Sequence, residues 1–243
     1  MIPRFHCPLP LAPGALVALP QKAAHHALKA LRMKNGDPLV LFDGNGGEWR
    51  ATLKVGAGRT AYALLGEFSA IERESPLSLT LAQGLPAGDK MDWIVEKCVE
   101  LGVAAIQPIA ARRSVMRLSA ERMARRVAHW NAIAVAACEQ CGRNRVPVIA
   151  EVLDLPQYLA QAAGQNAFRL LLSPQHGGSL QSLARPATPV IAFIGPEGGW
   201  DEEEVKAMRV AGCVALRLGP RVLRTETAGA ALLAAMQAVW GDF

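Results

Sequence analysis

Charged residues are scarce in this sequence: they make up 19% of its 243 residues, against 51% hydrophobic residues. Disordered chains are typically rich in charge and poor in hydrophobic residues, so this composition argues against disorder. At this length the apolar residues suffice for one substantial core or for two unequal ones. The sequence also contains no internal repeat and no low-complexity tract.

No hydrophobic run is long enough to cross a bilayer. The most apolar helical segment, residues 227–240, falls short of the roughly 20 residues that a membrane-spanning helix needs. Near the N-terminus, Pro8, Pro10 and Pro13 interrupt any apolar core of a signal peptide. These absences predict a cytoplasmic protein with no membrane partner.

Cysteine is rare as well, with five residues that form no even, regularly spaced set. Unpaired thiols are typical of a reducing compartment, where no disulfide framework forms. Cys138 and Cys141 have the spacing of half a zinc site, but the sequence has no second ligand pair nearby. We therefore expect two small residues near a helix end and no metal.

Arginine is concentrated in one segment, although the net charge is only +5. Residues 110–145 hold eight arginines against two glutamates, a local charge of +6. Such a field attracts phosphate groups, and the planar guanidinium suits bidentate phosphate or base contacts. A solvated helix face is the alternative explanation. The eight are Arg112, Arg113, Arg117, Arg122, Arg125, Arg126, Arg143 and Arg145.

The pattern of apolar residues divides the chain into two predicted domains, residues 1–72 and 73–243. In the first, short alternating runs separated by turns predict a small β-rich module. In the second, strands alternate with helices, which predicts an α/β fold with a parallel sheet covered on both faces. The polar stretch 69–76 is the predicted linker.

A long helix is predicted over residues 119–140, with one charged and one apolar stripe. His129 belongs to the charged stripe, which carries no carboxylate at helical spacing from it. We therefore interpret His129 as a residue of this face or a neighbour of phosphate and not as a catalyst.

The sequence Gly-Pro-Glu-Gly-Gly at residues 195–199 follows a buried apolar run. Ligands of open α/β sheets bind beyond the carboxyl ends of strands, where glycine lets the backbone approach a ligand. A phosphate fits poorly, because the spacing matches no phosphate-loop motif and four acids follow at 201–204. Asp201 and Glu204 have capping-box spacing. S-adenosylmethionine, neutral at its purine and cationic at its reactive centre, suits the loop better; a turn that serves only the fold is the alternative.

Two further strand ends have related features. Leu218 is followed by Gly219-Pro220, two arginines and a helix that begins near a threonine cap. Another strand ends at Leu172-Ser173-Pro174. Because loops at neighbouring strand ends of one sheet can face each other, these segments predict a closed pocket.

Five segments stand out, in chain order EKCVELGV, ARRSV, CEQCGRNRVP, IGPEGGW and LGPRVLRTETA. In the same order and over essentially the whole chain, they resemble motifs of the bacterial 16S rRNA uridine-N3 methyltransferases (RsmE type) of the SPOUT, or trefoil-knot, class. The N-terminal module is similar to that family's PUA-like RNA-binding β-barrel. Cys141 and Trp200 depart from the family pattern, in which serine and phenylalanine are common.

The resemblance implies a trefoil knot in the C-terminal domain, a homodimer with shared active sites, and 16S rRNA, within the assembled small ribosomal subunit, as substrate. It also implies S-adenosylmethionine as cofactor, bound in the knot loops. By position, the cofactor-binding residues are Leu172, Ser173, Ile194, Gly195, Pro196, Glu197, Gly198, Gly199, Leu218, Gly219 and Leu223.

Methylation at N3 of uracil requires removal of the imide proton and stabilisation of negative charge on O2 and O4. Arg224 is the predicted anion stabiliser, and Glu226 or a water is the predicted proton acceptor. In the alternative, Glu226 caps its helix and pairs with Arg224. The predicted rRNA contacts are Arg112, Arg113, Arg143 and Arg145, with Arg4 and the pair His25 and His26 as weaker candidates.

Two other functions are kept open. A knot-class ribose 2′-O-methyltransferase would carry Ser-Leu-Asn in the last loop, where this sequence has Leu223-Arg224-Thr225-Glu226. A non-catalytic RNA-binding ribosome-assembly factor would leave the paired glycine loops unexplained.

Overall fold

The computed structural model describes residues 2–115 and 119–243. It divides the chain into two compact units, Met1–Glu74 with Val135–Val146, and Ser75–Ala134 with Pro147–Phe243. Residues 135–146, which the sequence pattern places in the C-terminal domain, thus pack with the N-terminal unit. Arg117 of the arginine segment lies outside the described residues.

The N-terminal unit is built on a five-stranded sheet with the order β1-β3-β4-β5-β2. Only β1 and β3 run parallel among the described strands of this sheet. A short helix, α1 (Gln21–His25), continues into a π-helical turn at His26–Ala30 and buries Ala23 and Ala27. The strands are β1 (Arg4–His6), β2 (Leu16–Ala18), β3 (Pro38–Phe42), β4 (Glu48–Val55) and β5 (Ala61–Ser69).

The C-terminal unit contains a parallel sheet with the order β12-β10-β11-β6-β7-β8, and β9 also pairs with β7. The parallel sheet predicted from the alternating pattern is confirmed. Its strands are β6 (Leu79–Gly84), β7 (Ala105–Ala110), β8 (Val148–Ile149), β9 (Leu153–Asp154), β10 (Phe168–Leu172), β11 (Val190–Ile194) and β12 (Val214–Leu216). Its helices are α2 (Lys90–Glu100), α4 (Leu155–Ala162), α5 (Glu202–Val210) and α6 (Thr225–Trp240).

The longest helix, α3, spans Ala120–Cys141, close to the predicted range, and the division between the two units falls within it. The central strand β11 is buried at all five positions, which explains its unbroken apolar sequence. By contrast, β8 and β9 have two residues each and leave no readable pattern in the sequence.

The described residues contain no helix that is both apolar and long enough to span a bilayer. Within the same residues, no cluster of three or more His, Cys, Asp or Glu side chains is placed to hold a metal ion. Cys138 is buried in the N-terminal unit, where burial raises its pKa to about 12, so the thiol stays protonated at neutral pH.

Candidate active site

A cavity of about 960 Å³ lies at the carboxyl ends of β10, β11 and β12. These strands are parallel and adjacent in the order β12-β10-β11, so the loops that follow them meet at one edge of the sheet. Arg224 also lines the cavity, whereas Gly219 and Glu226 are not part of the lining. The other predicted cofactor-binding residues are all in the wall: Leu172, Ser173, Ile194, Gly195, Pro196, Glu197, Gly198, Gly199, Leu218 and Leu223.

The glycine loop, residues 195–199, packs tightly against the end of β6. A Cβ at Gly84 would lie 2.6 Å from Cδ and 2.8 Å from the backbone nitrogen of Pro196, closer than real Cβ contacts. Gly199 has a φ of +67°, in the left-handed region that glycine adopts without strain. The sequence pattern did not single out Gly84, because nothing near residue 84 reveals that the loop crosses it.

A buried hydrogen-bond chain holds the same loop from the side of α6. The Gln83 side chain donates to the Thr225 hydroxyl at 3.0 Å, and this hydroxyl donates to the carbonyl oxygen of Gly195 at 2.6 Å. The predicted threonine cap of α6 is therefore wrong: Arg224 is the N-cap residue and makes no side-chain cap bond. Thr225 instead fixes the loop, and neither it nor Gln83 was among the predicted site residues.

Three charged side chains connect the glycine loop to α2 and α6. The Glu197 carboxylate accepts hydrogen bonds from the Lys90 ammonium at 2.7 Å and from the Ala87 N–H at 3.1 Å. Burial opposes ionisation of Glu197, but these hydrogen bonds outweigh it and hold its pKa below the ordinary value. The hydrogen bond to Glu197 in turn raises the pKa of Lys90, so both groups are charged at neutral pH.

Glu226 lies close to the same ammonium group. Its Oε2 atom is 3.6 Å from Lys90 Nζ, is buried, and has no hydrogen-bond partner among the described residues. Arg224 and Glu226 form no ion pair within the described chain. The structure therefore does not support the alternative in which Arg224 and Glu226 pair with each other.

The first two arginines of the basic segment contact α5 and the glycine loop. Arg112 donates through its guanidinium to Asp201 at 3.0 Å, and Arg113 donates to the carbonyl oxygen of Gly198 at 3.2 Å. The predicted capping box of α5 is confirmed, with Glu204 accepting from the Asp201 N–H at 2.8 Å. The second oxygen of Glu204 accepts from the Arg112 N–H at 2.9 Å.

Glu204 is 5% exposed, so removing its carboxylate leaves two N–H groups without an acceptor. We expect Glu204→Ala to lower the free energy of unfolding by about 2–3 kcal/mol, from unsatisfied donors and a lost helix cap. Urea denaturation measures this. The neighbouring Glu203→Ala, an exposed site, should stay within about 0.5 kcal/mol of the wild type. Equal stability of the two variants would contradict a structural role for Glu204.

Arg4 and Arg143, predicted as rRNA contacts, are buried in the N-terminal unit. The Arg4 guanidinium binds Glu48 and Asn144, and the Arg143 guanidinium binds Glu74 at 2.5 Å. With side chains only 8% and 5% exposed, they cannot reach a phosphate, and we remove both from the proposed contacts. Both arginines stabilise this unit, because each joins segments that are far apart in the sequence.

Arg145, by contrast, is exposed and lies 3.6 Å from Glu72. His25 and His26 are exposed, and His26 makes an edge-on contact with Phe5. His129 has a carboxylate partner after all: its Nε2 lies 2.8 Å from Oδ2 of Asp92. Asp92 comes from α2, which is why spacing along the long helix did not reveal it.

Residues 73–237 match a family described as RNA methyltransferase domain, and residues 19–64 match the RNA methyltransferase PUA domain. The chain is thus an RNA methyltransferase by class. Ribosomal RNA small subunit methyltransferase E of Synechocystis sp. is 35% identical, over 93% of this chain and 74% of its own length. The Bacillus subtilis protein of the same name is 33% identical, over 84% and 82%.

Two solved structures are also similar over the full length of both chains. Ribosomal RNA small subunit methyltransferase E of Neisseria gonorrhoeae, bound to S-adenosylmethionine, is 39% identical with a TM-score of 0.93. A Legionella pneumophila methyltransferase, also with S-adenosylmethionine, is 34% identical with a TM-score of 0.95. This chain belongs to the ribosomal RNA small subunit methyltransferase E family, which confirms the resemblance seen in its motifs.

Proposed function

We propose that this protein methylates N3 of a specific uridine in 16S rRNA of the small ribosomal subunit. It is a methyltransferase that uses S-adenosylmethionine and acts on small-subunit rRNA, as its family membership and relatives solved with this cofactor support. The observation that carries the proposal is the cavity at the three strand ends, where the glycine loop, the β12–α6 loop and Arg224 meet. We place the protein in the cytoplasm, where rRNA is its substrate.

The residues around the cavity fit S-adenosylmethionine. Its volume of about 960 Å³ is at the upper end of the range of roughly 300–1,000 Å³ for small-molecule sites. The walls combine apolar side chains for a flat purine, the exposed backbone of the glycine loop, and the carboxylate of Glu197. When bound, this cofactor supplies a methyl group on a sulfonium centre. We propose as its binding residues the ten predicted ones that line the cavity.

Arg224 and Glu226 are the proposed residues for the chemistry. Arg224 is exposed, lines the cavity and has no acidic partner among the described residues, so its guanidinium is free to stabilise an anionic uracil. Glu226 does not line the cavity, and its buried Oε2 atom has no hydrogen-bond partner among the described residues, so it is free to accept the imide proton through a water. Lys90, 3.6 Å away, balances the negative charge of Glu226.

We further propose a trefoil knot in the C-terminal domain, which we take to begin at residue 73. In support, the segment after β10 lies against β12: Gly178 bridges to Leu216, and a Cβ at Gly177 would meet the Ala215 backbone at 2.5 Å. The N-terminal domain, residues 1–72, is PUA-like, and we propose that it binds RNA. A homodimer with shared active sites and an assembled small subunit as substrate complete the proposal.

Nucleoside analysis of 16S rRNA tests this function. Deleting the gene should remove one N3-methyluridine from small-subunit rRNA, and purified protein with S-adenosylmethionine should restore it in subunits from the deletion strain. Free 16S rRNA, offered in parallel, tests whether assembly is required. Loss of a 2′-O-methylated nucleotide would instead indicate ribose methylation, and unchanged rRNA would contradict enzymatic function.

A further inference from the structure

Most described arginines of the basic segment at residues 110–145 lie close to an acidic side chain. Acidic partners lie within 4 Å of six of the seven arginines that the structure describes in this segment, and those of Arg112 and Arg143 are 89 and 69 residues away in the sequence. A phosphate that binds there must compete with a carboxylate already in place. The six pairs are Arg112 and Arg113 with Asp201, Arg125 with Glu121, Arg126 with Asp89, Arg143 with Glu74, and Arg145 with Glu72.

A group of exposed positive side chains without an acidic partner among the described residues lies around the cavity. Lys206 and Arg209 come from α5, and Arg217 and Arg221 from the loop between β12 and α6. All four are exposed, and within the described chain none has an acidic side chain within 4 Å. The cavity lining as a whole contains seven Lys or Arg residues and two glutamates. Of the two glutamates, Glu197 is paired with Lys90.

We propose that Lys206, Arg209, Arg217 and Arg221 form a cationic rim that binds the rRNA backbone on either side of the target uridine. This inference rests on the proposed function and names the surface that holds its substrate. Unpaired guanidinium groups bind phosphate without first breaking an ion pair, and two of them come from the loop that also carries Arg224. Val222, 77% exposed beside Arg221, adds an apolar surface for a base or ribose.

The position of the cationic rim explains how the target nucleotide could be placed at the cavity, which the ion-paired basic segment does not explain. Phosphate contacts fix the register and orientation of a nucleic acid, and contacts next to the cavity place a nucleotide relative to Arg224. The segment at 110–145 then has a structural role: Arg112 and Arg113 hydrogen-bond to α5 and to the glycine loop, and Arg143 hydrogen-bonds to Glu74 within the N-terminal unit.

Two double variants test the rim: Arg217→Gln with Arg221→Gln, and Lys206→Gln with Arg209→Gln. The matched control, Arg112→Gln with Arg145→Gln, removes the same charge from predicted contacts that are ion-paired. Affinity for small subunits from the deletion strain is measured by filter binding over a series of salt concentrations. Each lost phosphate contact should lower the slope of log affinity against log salt by about 0.7–0.9, and affinity at about 0.1 M salt should fall roughly tenfold or more for each rim pair.

S-adenosylmethionine affinity, measured by calorimetry, separates the possible outcomes. We expect the rim variants to bind the cofactor with an affinity within about twofold of the wild type, because the substitutions should weaken RNA binding only. A wild-type salt slope in the rim variants would overturn the proposal, as would a larger loss in the control pair. Weakened cofactor binding with an unchanged slope would show that the rim binds the cofactor's carboxylate, which also overturns it. Failure of the wild type to methylate or bind subunits would contradict the proposed function itself.

Discussion

Gly84→Ala should abolish measurable S-adenosylmethionine binding, at least a hundredfold loss of affinity, while the protein stays folded. The added methyl group would lie 2.6 and 2.8 Å from the Pro196 ring and backbone nitrogen, and 3.2 Å from the carbonyl carbon of Gly195. These are main-chain and ring atoms that cannot rotate away, so the glycine loop must shift. A shift of even about 1 Å in this loop should cost far more binding than stability, because five of the ten proposed cofactor-binding residues belong to it.

Calorimetric titration with S-adenosylmethionine measures the binding loss, and thermal unfolding measures the stability. Overpacking of this kind costs about 1–3 kcal/mol, which leaves the fold intact. Gly164→Ala is the matched control, because its Cβ would meet no atom within 4 Å and its φ is not in the left-handed region. Cofactor affinity in Gly84→Ala close to that of the wild type would contradict the tight packing of the loop against β6.

The parts of the site that the sequence predicted are those with a local signal. Gly195–Gly199 and the segment from Leu218 to Arg224 each combine a strand end with glycine, and capping-box spacing identified Asp201 and Glu204 as the start of α5. The strand ends predicted at Leu172 and just before Gly195 agree with the ends of β10 and β11. The buried parallel strand β11 reads as an unbroken apolar run.

The parts that were missed depend on contacts between distant residues. Gln83 and Thr225 are 142 residues apart and show no pattern that connects them, yet their hydrogen bond fixes the glycine loop. In the sequence, Gly84 cannot be told from any other glycine at a strand end. Only the structure shows that the glycine loop packs against it. Lys90 reads as an ordinary surface residue of α2, and its role depends on Glu197 and Glu226 from two other segments.

Contacts between distant residues also explain why Arg4 and Arg143 no longer count among the predicted rRNA contacts. Net charge along a sequence window counts arginines but not the carboxylates that the fold brings to them, such as Glu74 for Arg143. Burial then decides availability: Arg4 and Arg143 pack inside the N-terminal unit, where a charge is tolerated only when it is paired. Such contacts also show why residues 135–146 pack with the N-terminal unit. Besides the ion pair of Arg143 with Glu74, Asn144 donates to the carbonyl oxygen of Ile71 at 2.8 Å.

Arg224→Ala should lower kcat by about 10²–10³, with S-adenosylmethionine affinity within a few-fold of the wild type. The expected loss is that of one charged donor aimed at an oxygen that becomes negative in the transition state. Arg224 can act in this way because no carboxylate in the described chain competes for its guanidinium. Steady-state methylation of subunits from the deletion strain, at saturating S-adenosylmethionine, measures the effect. Arg185→Ala, at an exposed arginine outside the cavity lining, is the control and should leave kcat unchanged.

Glu226→Gln distinguishes the two candidate proton acceptors. If the carboxylate takes the imide proton, kcat should fall by about 10²–10⁴ and lose its dependence on a deprotonated group at the acidic side of the pH profile. The amide keeps the shape of the side chain, so cofactor affinity and thermal stability should change little. A wild-type kcat in Glu226→Gln alone assigns the proton to water, whereas wild-type turnover in both variants removes Arg224 and Glu226 from the chemistry.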